Sequence, residues 1–89
     1  MNYEWDERKD RLNCINHGIS FHEAGAFDWA RAVIVDRSRH ADGEPRFAGI
    51  GPLDDKIHTL IFTMRGDKVR IISLRRSNKQ EEKIYEETI

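Results

Sequence analysis

A chain of 89 residues has room for one small domain, residues 1–89, with a thin stability margin and no space for a large cofactor cleft. A hydrophobic fraction of 38% beside a charged fraction of 35% is that of a globular protein, and no apolar run approaches the roughly 18 residues of a membrane span. The lone cysteine, Cys14, excludes an internal disulfide, and the polar start MNYEWDERKD lacks a signal-peptide core, so a cytoplasmic protein is expected.

In chain order, Asn2 to Trp5 reads as a short strand. Asp6 is a favourable N-cap for a helix reaching about His17, with Leu12 and Ile15 as its apolar stripe. Gly18 stands where such a helix ends in a left-handed residue. Ser20 and Glu23 have capping-box spacing, which starts a second helix with Phe21, Ala24 and Phe27 on one face. Ala32 to Val35 is short and β-branched, as a strand is. Arg37 to Pro45 is a polar loop, Arg46 to Gly51 a glycine-weakened strand, and Asp54 to Lys56 a turn. In KIHTLIFTMR, His58, Leu60, Phe62 and Met64 face one way, while Ile57, Thr59, Ile61, Thr63 and Arg65 face the other. Arg65-Gly66-Asp67-Lys68 is a hairpin turn with positive φ at Gly66. Val69 to Arg75 is the last strand, and Ser77 with Gln80, or Asn78 with Glu81, starts the closing helix. Short turns between strands, with helices at the two ends of the chain, predict an α+β fold. Its expected parts are an antiparallel sheet of four to five strands, two N-terminal helices and a C-terminal helix.

The net charge of −1 hides an uneven distribution. Residues 1–30 carry three basic and six acidic side chains, whereas residues 65–83 carry seven basic and three acidic. Such a segment can gather phosphate, although a solvated strand end and helix face give the same count. Strict alternation puts Arg70, Ile72, Leu74 and Arg76 on one face of the last strand, with Ile71, Ser73 and Arg75 on the other. Arg65 and Arg70 bracket the hairpin and lie close together on paired strands.

Three blocks of the chain carry a family resemblance. YEWDERKDRLNCINHGISFHEA resembles the opening of the BrnT toxins, an aromatic-x-W-D start followed by N-x-x-K-H-G-hydrophobic-S-F-x-x-A. GEPRFAGIG resembles their G-E-x-R-x-x-x-I-G segment, and FTMRGDKVRIISLRRSNKQEEKIYE resembles their T-x-R-G…R-I-I-S-A-R-K-A-x-x-x-E-x-x-x-Y-E ending. The resemblance implies a RelE-like fold and a type II toxin that cleaves RNA. It also implies a cognate antitoxin with a ribbon-helix-helix DNA-binding domain, through which the pair reaches its operator DNA. Asn16 stands where relatives have lysine, and Leu74-Arg75-Arg76-Ser77 replaces their A-R-K-A.

Metal-independent RNA cleavage must deprotonate the 2′-hydroxyl, stabilise the phosphate and protonate the leaving 5′-oxygen. Fixed guanidinium groups suit the second task, while Tyr, His and carboxylates move protons. The expected catalytic set is Arg65, Arg70, Arg75, Tyr85, His17 and Glu44, with Arg46, Lys68, Arg76 and Lys79 binding RNA. Duller roles compete: Tyr85 as a helix anchor, His17 as a capping residue, Glu44 in a surface pair with Arg46. No cofactor is expected, and the histidines with Cys14 form no metal pattern beyond a weak His40-x-Asp42. The alternative function is a catalytically weak module of the same fold, acting with its antitoxin as a corepressor or binding RNA. A helix-turn-helix reading, suggested by the tight join of the first two helices, is weaker, because SFHEAGAFDW is acidic and would repel phosphate.

Overall fold

Local signals place most element boundaries in the computed structural model, which describes residues 1–38 and 43–89. The chain runs β1 (Asn2–Glu4), α1 (Glu7–His17), two 3-10 segments (Phe21–Ala26 and Trp29–Arg31), β2 (Val33–Asp36), β3 (Phe47–Leu53), β4 (Lys56–Arg65), β5 (Lys68–Arg76) and α2 (Lys79–Thr88). Part of the loop expected from Arg37 to Pro45, and the His40 and Asp42 pair, lie outside the described residues. Asp6 accepts the Arg8 amide at 2.8 Å and Gly18 closes α1 at φ 70°, with its N–H on the Cys14 carbonyl. Gly66, at φ 63°, makes the two-residue turn between the paired Arg65 and Lys68. Of the two possible starts for the closing helix, Asn78 with Glu81 forms the capping box.

The five strands lie in the order β1-β5-β4-β3-β2. Pairing is antiparallel from β2 to β5, as short connections require, but β1 runs parallel to β5, with Glu4 opposite Arg70. The sheet is therefore mixed rather than antiparallel throughout. No turn joins β1 to β5, so their relative direction is set by tertiary contacts. Tyr3 sends its hydroxyl to the Ala24 carbonyl at 3.1 Å and accepts from Trp29 Nε1 at 2.6 Å.

The second N-terminal helix is also corrected. Ser20 and Glu23 do form a capping box, but the turns that follow are 3-10, six residues and then three. Phe27 leaves in extended conformation to bridge Leu53, and Asp28 donates its N–H to the Pro52 carbonyl at 2.9 Å. The sheet thus takes the chain before a second α-turn can form.

A third difference concerns the faces of β5. Ile61 pairs with Ser73 and Phe62 with Ile71, so Ile72 is an extra residue in a β-bulge. Alternation slips by one: Val69, Ile71 and Leu74 are all buried, and Arg70 and Arg75 come to the same side.

Phe62, Leu60, Ile71 and Leu74 form one face of the sheet and pack against Ile19, Phe21, Ala24 and Phe27. Trp29 meets Phe62 edge-on at 5.2 Å between ring centroids. Gly51 is needed where the chain crosses this face, since a Cβ there would lie 3.0 Å from Ala32 Cα and Cβ. Leu12 and Ile15 are not a buried stripe. The buried residues of α1 are Asp10 and Asn13, and the helix is held by polar bonds. Asp10 accepts the Phe21 amide at 2.7 Å and the Ser20 hydroxyl at 3.1 Å. Asn13 donates to the Leu74 carbonyl at 2.7 Å and the Ile19 carbonyl at 2.9 Å, and accepts from the Leu74 N–H at 3.1 Å. Among the described residues no helix is long and apolar enough to cross a membrane.

Candidate nucleic-acid interface

Directly opposed residues of neighbouring strands project to the same side of a sheet. Thr59 opposes Arg75, Thr63 opposes Arg70, and Arg65 opposes Lys68. All lie on the face opposite the aromatic core. The β2–β3 ladder continues past Asp36 and Phe47 through the Arg37 N–H on the Arg46 carbonyl at 2.8 Å, which adds Arg37 and Arg46 to that face. One face therefore carries six cationic side chains: Arg37, Arg46, Arg65, Lys68, Arg70 and Arg75. Three carboxylates accompany them, on Glu4, Glu44 and Glu81, leaving an excess of positive charge. From strand spacing and rise, the Cα atoms of Arg65 and Arg70 are about 8 Å apart and those of Arg70 and Arg75 about 15 Å.

The carboxylates are engaged. Glu4 accepts from Arg70 Nη1 at 3.1 Å, Glu44 from Arg65 Nε at 3.2 Å, and Glu81 from both terminal nitrogens of Arg75 at 2.7 and 2.9 Å. Arg37 approaches Glu81 to 4.0 Å. Burial disfavours the charged form of Glu81, but the Arg75 hydrogen bonds, the Asn78 N–H and the Arg75 charge outweigh it and bring its carboxyl down to about 2. The same pair raises the Arg75 guanidinium above its ordinary range. Glu44 is lowered chiefly by its hydrogen bond from Arg65. It orients Arg65, not the neighbouring Arg46. The Arg65–Glu44 pair is exposed and open to solvent screening, whereas the Glu81 side chain is only 4% exposed.

Two other expected site residues, His17 and Arg76, lie away from this face. His17 and Arg76 line a hollow of about 220 Å³ at the C-terminal end of α1, together with His58, Lys56, Glu23, Asp54 and Asp55. The imidazole Nδ1 of His58 is 3.0 Å from the Lys56 carbonyl, so that nitrogen donates to it. Three carboxylates offset the cations of this hollow, which suits an anion less well than the sheet face. A second hollow of about 220 Å³ is lined by His17 with Lys9, Leu12, Asn13, Asn16, Ile72 and Ser73. Tyr85 is buried on α2 one turn beyond Glu81, on the side of the helix that bonds Arg75, and Lys79 is exposed at its first turn. Glu7, Asp10 and His22 bring possible ligand atoms within 4.8 Å of one another, but the Asp10 carboxylate is already taken by Ser20 and Phe21.

Sequence reasoning missed Arg37, Glu4 and Glu81. Glu81 had a signal, its capping-box place opposite Asn78, but nothing local tied it to Arg75. Glu4 is 66 positions from Arg70, and only the parallel pairing of β1 brings them together.

A mixed five-stranded sheet with an apolar face under the N-terminal segment and an arginine-bearing face beside the C-terminal helix defines a small α+β domain. The chain belongs to the family described as "Ribonuclease toxin, BrnT, of type II toxin-antitoxin system", whose model matches residues 5–81. It is similar to the crystal structure of the Brucella abortus ribonuclease toxin, BrnT, with a TM-score of 0.70 and 26% sequence identity over 89% of this chain and 99% of that one. Comparison with curated proteins found no match. Membership of a type II toxin-antitoxin family implies a cognate antitoxin as partner.

Proposed function

We propose that this chain is an endoribonuclease toxin whose substrate phosphate lies on the arginine-bearing sheet face, near Arg65, Lys68 and Arg70. The observation that carries this reading is the gathering of six cationic side chains on one face through the strand register and the Ile72 bulge. In the reaction, the 2′-oxygen attacks phosphorus and gives up its proton, and the 5′-oxygen leaves with a proton. The products are a 2′,3′-cyclic phosphate and a free 5′-hydroxyl. Arg65 and Arg70 stabilise the charge that builds on the non-bridging oxygens. Glu44 and Lys68 are the groups on that face for proton transfer, and no metal ion takes part. Arg75, locked to Glu81, joins α2 to the sheet and extends the track for the RNA backbone. The cognate antitoxin is of ribbon-helix-helix type and neutralises the toxin while binding operator DNA.

The Arg65→Ala/Arg70→Ala double variant tests this, with circular dichroism to check the fold. Cleavage of a labelled RNA is expected to fall by about a hundredfold or more, and EDTA is expected to leave wild-type cleavage unchanged. Full cleavage by the folded double variant overturns the site, and loss of wild-type cleavage in EDTA overturns the metal-free chemistry. A second reading is favoured by the ion pairs themselves. With Arg65, Arg70 and Arg75 each held by a carboxylate and Asn16 at the position of the family's lysine, the chain would bind RNA or serve as a corepressor without strong catalysis. Normal growth on expression without antitoxin, with soluble protein, supports that reading; growth arrest with RNA loss supports cleavage.

A further inference from the structure

Helix α1 is built inside out. Its inner face buries Asp10 and Asn13, while Leu12 is 57% and Ile15 78% exposed. A helix of a self-sufficient domain turns its aliphatic residues inward, and an exposed apolar pair beside a buried polar pair marks a face made for something else. At helical spacing, Arg8, Arg11, Leu12 and Ile15 form one outer stripe. Leu12 also borders the second hollow, where Ile72, thrown out of register by the bulge, adds another aliphatic group and Lys9 a cation. Among the described residues Lys9 and Arg11 have no ion-pair partner, and Arg8 meets Asp6 with a 3.6 Å contact at an exposed site.

We infer that this face, Leu12, Ile15 and Ile72 ringed by Arg8, Lys9 and Arg11, is where the cognate antitoxin docks an acidic amphipathic segment. The inference rests on the toxin-antitoxin reading and adds the surface and the chemistry of its partner. The cations select acidic residues in that segment, and the aliphatic centre selects apolar ones. Nucleic acid is a poor occupant, since branched aliphatics offer no stacking plane or donor to a base. A second copy of this chain would bring the same three cations against their equals. The docking face belongs to α1 beside the Ile72 bulge of β5, so the antitoxin's hold is separable from the residues that bind RNA.

The test is the Leu12→Glu/Ile15→Glu variant, assayed against the purified cognate antitoxin by isothermal titration and for RNA cleavage without antitoxin. Both side chains are exposed, so the fold is expected to survive. The dissociation constant is expected to rise about a hundredfold while cleavage is unchanged. A charge-reversed variant, Arg8→Glu/Arg11→Glu, leaves the apolar pair intact and is expected to slow association about tenfold at low salt. Unchanged antitoxin affinity in both folded variants overturns the inference. So does a wild-type dimer that the Leu12→Glu/Ile15→Glu substitutions dissolve without altering antitoxin binding. If the wild-type chain itself binds no antitoxin, the partner reading fails first, and the docking face with it.

Discussion

Replacing Glu81 with glutamine removes the charge that fastens α2 to the sheet. The carboxylate is nearly inaccessible, receives two hydrogen bonds from Arg75, and accepts the Asn78 N–H at 3.0 Å. A carboxyl that ionises at about 2 when folded, rather than near 4.5, contributes about 3 kcal/mol of stability at neutral pH. Because the folded value is the lower one, this contribution is complete above about pH 5 and fades as pH falls toward 2, with about half remaining at pH 3. Urea unfolding of wild type and Glu81→Gln between pH 7 and pH 3 reads it directly. The variant is expected to be about 3 kcal/mol less stable at pH 7, a fall of roughly 10–20 °C in Tm, and the gap is expected to shrink to about half by pH 3. The lowered carboxyls of Asp6, Asp36 and Glu44 act equally in both proteins and cancel in the difference. A stability gap that stays constant with pH, or is under 1 kcal/mol at pH 7, refutes the reasoning.

Other expectations follow from single contacts. Asn13→Ala strips the Leu74 N–H and carbonyl of their partner, and a loss of about 2 kcal/mol or more is expected in thermal unfolding. Glu4→Gln and Glu44→Gln release Arg70 and Arg65, and fluorescence anisotropy is expected to show tighter RNA binding with a steeper salt dependence. Unaltered affinity would mean that these carboxylates do not compete with phosphate.

What the sequence showed was local. Asp6, Gly18, the Ser20–Glu23 and Asn78–Glu81 boxes, and the Gly66 turn each act within a few residues, and each stands where its chemistry predicts. The inward face of β4 was legible too, because alternation there is uninterrupted up to the hairpin. The bulge at Ile72 was not, since no glycine or proline marks it, and it reversed the side assigned to Arg75 relative to Arg70. The direction of β1 was hidden for a different reason: it depends on Tyr3 meeting Trp29 and Glu4 meeting Arg70, contacts far apart in the chain. Leu12 and Ile15 misled because an amphipathic pattern tells which residues differ from their neighbours, and α1 satisfies its buried side with hydrogen bonds. The cationic face could be suspected from residues 65–83, but Arg37 and Arg46 joined it only through the β2–β3 register.

The β1–β5 pairing also bears on synthesis. Asn2 to Glu4 are made well before their strand partners Lys68 to Arg70, which follow 66 positions later. Until then one border of the sheet has no neighbour, Arg70 has not been joined by Glu4, and the anchor of α2 is missing. The paired cationic face, with Arg70 beside Glu4 and Arg75 beside Glu81, therefore exists only once β5 and α2 are in place and β1 has closed on them.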